Sequence, residues 1–433
     1  MSQIFFYLLL ILLPTQLGYH FWPSWAFVLG RRVDYLSPTL FLTDILIIVM
    51  LILWSIELVL KSKNRENKSN KLKIRSKTIT NTIVSFSVIR NSLIILIFVF
   101  INIWFAVNRM VALYAWVKLL EFFLLGFYIV KTKPDVRRSI LSLSIGIIYS
   151  SILAIAQFIL QHSVGGVLWF LGERMFSSVT PGIAQIPLCL PGLTSCPLYL
   201  RSYATFPHPN VLGGFLVATL PLIIWQFFQS NNKKIRIFFG VIFVLGCVAL
   251  LLTFSRSAWA VGFIAIFITI AKIKQITLIK NWNKKIIVLI LIFIVVLCIL
   301  VTQQLRLTES VVVRLQLAAA AIQIWKTVSL FGVGLGNFLV ALPRYLPSRT
   351  IYFLQPVHNI YLLLLSEIGL VGIGIALFSI ISLVKRKKSH TPLSLIIRNS
   401  LFTICILGFI DHYSLTLQQG QLLLTLFISL ACT

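Results

Sequence analysis

The chain has 433 residues, of which 59% are hydrophobic and 11% charged, and it carries a formal net charge of +28. A soluble domain is closer to half apolar and a quarter charged, so this composition excludes an ordinary soluble protein. So basic a soluble chain would suggest a nucleic-acid partner; here the charge follows the loops, and no nucleic acid is expected.

Apolar runs near 20 residues recur along the chain, each long enough to cross a hydrocarbon core of roughly 30 Å. Lipid cannot satisfy exposed backbone groups, so such runs must be helices or barrel strands. Unbroken runs such as Ile286–Val301 lack the alternation of a barrel strand, which makes the fold an all-α polytopic membrane protein, expected as a single domain over 1–433. Met1–Leu13 has no Lys or Arg before it and no clear small-residue cleavage site, so it reads as a retained first span. Twelve spans are predicted, near 3–22, 39–60, 91–107, 111–130, 139–161, 210–228, 237–254, 258–271, 286–302, 359–384, 393–410 and 418–432.

With the N-terminus in the cytoplasm, the inner loops hold 25 of the 38 Lys and Arg residues and the outer side 11. Positive charge concentrates inside, so both termini are expected in the cytoplasm. Ten of the eleven outer cations are Arg, Lys326 being the exception. Arg is the better choice where a planar fork must grip phosphate; interfacial anchoring is the plainer reading.

Two outer segments are long, 162–208 and 303–357, and rich in Trp, Phe, Pro and Gly. In the first, Cys189 and Cys196 bracket Pro191-Gly192, and a small disulfide ring is expected between them on the oxidising side. The segment ends in Arg201-Ser-Tyr-Ala-Thr-Phe-Pro-His208-Pro-Asn210, with Asn210 placed to cap the next helix and Gly213-Gly214 permitting close packing. Arg256 falls in the tight turn before the eighth span. In the second long segment Arg314, Ala318, Ala321 and Trp325 recur at helical spacing. Gly332-Val-Gly334-Leu-Gly336-Asn337 follows a helix, not a strand, which argues against a dinucleotide site; its expected job is to end the helix and let backbone approach something. His358-Asn359 opens the tenth span. A neutral imidazole there can take a proton from a hydroxyl, or serve as an interfacial anchor.

Taken in order, Phe-Pro-His-Pro-Asn-Val-Leu-Gly-Gly-Phe, Leu-Thr-Phe-Ser-Arg-Ser-Ala, the Arg314 helix running into Phe-Gly-Val-Gly-Leu-Gly-Asn-Phe, and His358-Asn-Ile-Tyr-Leu-Leu-Leu-Leu-Ser-Glu367 resemble the O-antigen ligase/polymerase family over about 201–374. Asp411-His412 and Gln418-Gln-Gly-Gln carry a weaker likeness. The resemblance implies a membrane glycosyltransferase of the C type with an undecaprenyl-pyrophosphate-linked glycan as donor. It implies His358, Arg314 and Arg256 as catalytic residues, with Arg201 as a further addition; Arg201, His208, Asn210, Asn337 and Asn359 are expected to bind substrate. His358 would be the base; Arg314 and Arg256 would hold the pyrophosphate. No cofactor is expected. No metal is expected either, because the outer side offers only Asp34, Glu173, Glu309 and Asp411 and no Asp-x-Asp motif occurs.

The acceptor, whether glycan, lipid or protein, is left open, as is the choice between ligase, polymerase and protein O-oligosaccharyltransferase. A lipid-linked glycan flippase or transporter is the rival from another class, and a non-catalytic binding scaffold is a third. Glu367 lies nine residues after His358, on the opposite helix face, and is expected to pair with Lys118 or Arg398. Lys118 and Glu121 are spaced to pair locally.

Overall fold

A computed structural model describes residues 1–69, 78–188, 196–277, 309–346, 354–385 and 391–433. The long helices are α2 (Leu42–Ser69), α3 (Thr78–Trp104), α4 (Arg109–Thr132), α5 (Val136–Leu160), α6 (Pro209–Gln229), α7 (Lys233–Leu252), α8 (Arg256–Thr277), α9 (Glu309–Thr327), α11 (Ile360–Lys385) and α12 (Pro392–Leu407). Shorter ones are α1 (Ser2–Ile11), α10 (Phe338–Ala341), α13 (Tyr413–Thr416) and α14 (Gln418–Ala431).

Seven described segments are long and apolar enough to cross a membrane: Leu42–Lys63, Arg109–Thr132, Val136–Leu160, Pro209–Gln229, Lys233–Leu252, Arg256–Ile273 and Ile360–Ile381. The apolar helices at Ser2–Ile11, Asn91–Trp104 and Pro392–Leu407 are shorter. The expected span at 286–302 lies outside the described residues, and the one at 418–432 is a helix of only 14 residues. The first expected span, 3–22, is corrected: the helix stops at Ile11 and the chain turns at Leu12–Pro14 into strand β1 (Gly18–His20). Pro14 cannot continue the helix, a break that hydropathy alone does not register.

The bundle is arranged around α6. Its apolar character runs all round, and 83% of its most hydrophobic window is buried, as expected for a helix enclosed on every side. α5, α7, α8 and α12 pack on it. At Gly214 a Cβ would lie 1.8 Å from the Tyr413 hydroxyl, so only glycine lets α13 approach this closely. Outer helices turn apolar side chains outward instead. Ile45, Ile48, Ile52, Ile56 and Val59 on α2 are all exposed at three- to four-residue spacing, the pattern of a lipid-facing stripe.

At one end of the bundle, short strands form a cap. β1 pairs antiparallel with β4 (Thr39–Phe41), β2 (Phe27–Val28) with β3 (Arg31–Arg32), and β5 (Gln185–Pro187) with β6 (Leu198–Leu200). Gln16 Nε2 donates to Gly172 O at 3.1 Å and ties the two cap regions together.

α11 is broken. Gly369 adopts φ 63° and ψ −171°, and a Cβ there would meet Leu330 O at 2.4 Å. The freed groups are satisfied by the glycine-rich segment: Leu370 N donates to Ser329 O and Val371 N to Leu330 O, while Val333 N and Gly334 N donate to Ser366 O and Glu367 O. This bears out the expectation that the glycines let backbone approach something, although α9 itself ends at Thr327, before the cluster.

Candidate active site

The capped end gathers residues that are far apart in sequence. His208 precedes α6 in extended conformation, with φ −153°, as Pro209 requires of its predecessor. Its Nδ1 accepts from Asn210 N at 3.1 Å. The helix cap is therefore His208, not Asn210 as expected. That leaves the Asn210 side chain free to bridge: Oδ1 accepts from Arg201 Nη2 at 2.8 Å, and Nδ2 donates to Asp411 Oδ2 at 3.0 Å. Arg201 also donates Nε to Thr253 O at 2.8 Å, fastening the segment before α6 to the turn between α7 and α8. Two non-glycine residues near this junction, Ala204 (φ 51°) and Phe254 (φ 47°), hold left-handed backbone, a strain that fixed functional segments often carry.

Asp411 and His412 lie between α12 and α13. Asp411 Oδ1 accepts from His412 N at 2.8 Å, and His412 Nδ1 meets Thr416 Oγ1 at 2.6 Å. The rings of His412 and His358 are 5.1 Å apart, near perpendicular. His358 Nδ1 is buried and has no hydrogen-bond partner among the described residues, the arrangement of an imidazole nitrogen open to accept a proton. Arg314, on α9, donates Nη1 to Ile410 O at 3.2 Å, next to Asp411. Arg256 opens α8 and is exposed.

These groups sense one another. Burial pushes Arg201 down to about 10, and the positive charges of Arg256 and Arg314 add to the fall against Tyr203 and Asp411. Burial brings His358 down to about 4, opposed by Asp411 and aided by His412 and Arg314. His208 falls to about 3, by burial and then by Arg201. Burial would raise the Asp411 carboxyl, but His412, His358, His208 and the Asn210 amide outweigh it and hold it below the usual range. At neutral pH the imidazoles are therefore neutral and Asp411 is ionised, acting on Arg201 together with Arg256 and Arg314.

The sequence-predicted catalytic trio thus converges with Arg201, His208 and Asn210. Two expected substrate-binding amides are committed elsewhere. Asn359 Oδ1 accepts from Tyr361 N and Leu362 N at 2.9 and 3.0 Å, capping α11, and its Nδ2 donates to Phe409 O at 3.2 Å. Asn337 is fully buried; its Oδ1 accepts from Asn108 N at 2.7 Å and its Nδ2 donates to Leu335 O at 3.2 Å. Asn102 shares this second network, taking Trp116 Nε1 at 2.9 Å and donating to Glu367 O at 3.1 Å. Glu367 does not pair with Lys118 or Arg398; its Oε1 accepts from Phe338 N at 3.2 Å. Lys118 does bond Glu121 at 2.8 Å as the spacing suggested, and Asp44 as well, also at 2.8 Å. Cys189 lies outside the described residues, so the Cys189–Cys196 ring stands as a proposal.

Sequence reasoning missed Tyr35 and Arg174. The Tyr35 ring packs edge-on against His412 at 5.6 Å, and burial raises its phenol to about 12, helped by Asp411 and Asp34 and opposed by Arg174. Arg174 donates Nη2 to Pro207 O at 2.6 Å. The arginine bias of the outer loops was a signal for Arg174; nothing local marks Tyr35.

The ligand atoms of His358, Asp411 and His412 lie within 4.8 Å of one another, a spacing a metal ion can use. The donor set fits poorly, however. Both Asp411 oxygens already accept hydrogen bonds, His412 Nδ1 is engaged by Thr416, and guanidiniums flank the cluster.

Residues 241–377 match the family model described as O-antigen ligase. The matched stretch contains Arg256, Arg314, His358 and Glu367, and it is the family that the ordered motifs resemble. No curated protein matches the chain.

Proposed function

We propose, with the O-antigen ligase domain at 241–377 as premise, that this membrane protein transfers a glycan from undecaprenyl pyrophosphate to an acceptor hydroxyl. One observation carries the reading: Arg201 lies within reach of the charges of Arg256, Arg314 and Asp411, and Arg314 and Asp411 also act on His358, whose Nδ1 has no partner among the described residues. Such an excess of fixed positive charge calls for an anion, and a pyrophosphate supplies it.

His358 takes the proton of the acceptor hydroxyl. The oxygen forms a bond to the anomeric carbon as that carbon's bond to phosphate breaks. Polyprenyl pyrophosphate leaves with the electron pair, its charge met by Arg314 and Arg256, with Arg201 behind them. Attack opposite the leaving group inverts the anomeric centre. Asp411 holds Asn210 and, through it, Arg201. No metal enters the scheme. The site faces the outer side of the cytoplasmic membrane, with both termini inside, as the loop charges favour.

Reconstitution with a synthetic polyprenyl-pyrophosphate glycan and candidate acceptors tests the reading. Glycan should appear on the acceptor, and the His358→Ala protein should fail to place it there. A flippase would move the lipid across the bilayer, leave its pyrophosphate bond intact, and tolerate His358→Ala.

A further inference from the structure

The loop that follows α5 turns its charge inward and its apolar side chains outward. Ser178 N donates to Gln161 O at 3.2 Å and Ser163 N to Phe176 O at 2.9 Å, closing residues 161–178 into a ring. Glu173 ties the ring across. Its side chain accepts from the amides of Val164 and Gly165 and from Gln157 Nε2, each at 2.8 Å, and the residue is 2% exposed. Val167, by contrast, is 80% exposed, Phe170 63% and Val179 87%. A 3₁₀ helix, Gly166–Leu171, carries the first two. With three residues per turn, side chains at i and i+3 eclipse, so Val167 and Phe170 point the same way; Val164, also exposed, precedes them at the same interval.

A contiguous apolar surface of this kind marks a contact with protein or membrane. Here it continues a lipid-facing stripe. On α5, Leu141, Ile145, Ile152 and Ile159 are all exposed. At 100° per residue they fall within about 40° of one another, a single stripe that runs along the helix into the ring. No Lys, Arg, Asp or Glu occurs between Arg138 and Glu173, so neither stripe nor ring holds a fixed charge toward lipid. Trp169, half exposed, stands beside Phe170, as indoles do at a membrane boundary. The other side of the ring differs. Trp169, Gly172, Glu173, Arg174 and Met175 line a cavity of about 750 Å³ at the capped end, whereas Val164, Val167, Phe170 and Val179 are not among its walls. The apolar side faces away from the protein.

We infer that this ring is a foot set into the leaflet on the capped side of the membrane, with Val167 and Phe170 among the acyl chains. The partner is the bilayer itself, and the inference stands apart from the transferase reading. Arg174 Nη2 donates to Pro207 O at 2.6 Å, so lipid that holds the foot also holds the approach to His208 and α6.

The test places a nitroxide, carried on an unnatural amino acid that leaves the native cysteines untouched, at Val167 or at Phe170 of the full-length protein. The protein sits in vesicles of phosphatidylethanolamine and phosphatidylglycerol. Collision with oxygen, which concentrates in lipid, is compared with collision with a water-soluble nickel chelate, and phospholipids labelled at the headgroup or along the chain calibrate the ratio. Both positions should give the ratio of a chain-labelled lipid. Phe170→Asp should shift a label at 167 toward the headgroup ratio, while Phe170→Leu should leave it in place; both change an exposed side chain, so the fold should persist. Headgroup or aqueous ratios at 167 and 170 overturn the inference. So does exclusion of both reagents with spin–spin broadening, the signature of a second copy on this face. A label at 167 that stays among the chains in Phe170→Asp would overturn it as well, since the ring would then be held by protein alone.

Discussion

Asn210 Nδ2 donates to Asp411 Oδ2 at 3.0 Å, joining residues 201 positions apart. Because the same amide accepts from Arg201, one side chain orients a cation on one face and a carboxylate on the other. Arg201 and Asp411 are thereby fixed relative to each other through a single side chain.

Removing the base should be more costly than removing its neighbour. His358→Ala is expected to lower turnover roughly 10²–10⁴-fold, with donor binding little changed, because positioned proton transfer contributes on that scale. Asp411→Asn should lower turnover by at least roughly tenfold, since it leaves the histidines without their one carboxylate. Initial transfer rates on protein that elutes as a single species decide it; a wild-type rate in folded His358→Ala rules out the proposed base.

The three arginines should separate by role. Arg256 is exposed, so Arg256→Lys should leave thermal stability unchanged while weakening donor binding, because a point charge lacks the guanidinium fork. Arg314→Lys should behave similarly, and both losses should deepen as salt rises. Arg201→Lys removes hydrogen bonds to Thr253 O and Asn210 Oδ1, and should lower the melting temperature as well. Equal melting temperatures for all three variants would contradict this division.

The pH profile follows from burial. His358 is held down to about 4, so its neutral form, the one able to accept a proton, prevails at every pH above that value. Transfer should stay level as pH falls from 8 to 5 and drop as it passes through about 4. An imidazole at the ordinary value would lose activity near pH 6.5. A kcat/KM profile with its acid limb at 6–7 would show that His358 is not the titrating base.

Chelation separates arginine chemistry from metal chemistry. With its carboxylate oxygens already occupied, the His358–Asp411–His412 group is expected to work without an ion, so transfer should survive dialysis against EDTA. Loss of transfer restored by one divalent metal would reassign these three side chains as ligands.

The sequence was informative where one residue type sits at a forced position. His358 was read at the boundary just before α11, and its association with Arg314 followed from the resemblance of the ordered motifs. Glu367 was expected to pair with a cation; it takes the Phe338 N–H instead, beside the glycine segment that bonds the main chain at Ser366 and Glu367. Hydropathy merged α1 with the strand that follows, because apolar side chains at Tyr19 and Phe21 score alike whether they face lipid or a cap. Asn337 stood next to a motif and was read with it, while its contacts are set by Asn108, more than two hundred residues earlier. Tyr35 depends wholly on how the cap closes.

The break in α11 also has a mechanical consequence. Four main-chain hydrogen bonds weld residues 329–334 to the two turns around Gly369, so the glycine segment cannot slide independently of the helix. Leu335, Gly336 and Glu367 all lie on the cavity wall. Tilting the upper half of α11 must therefore carry that wall with it. A bilayer thick or thin enough to change the tilt would alter the width of the chamber, making lipid chain length a dial on its shape.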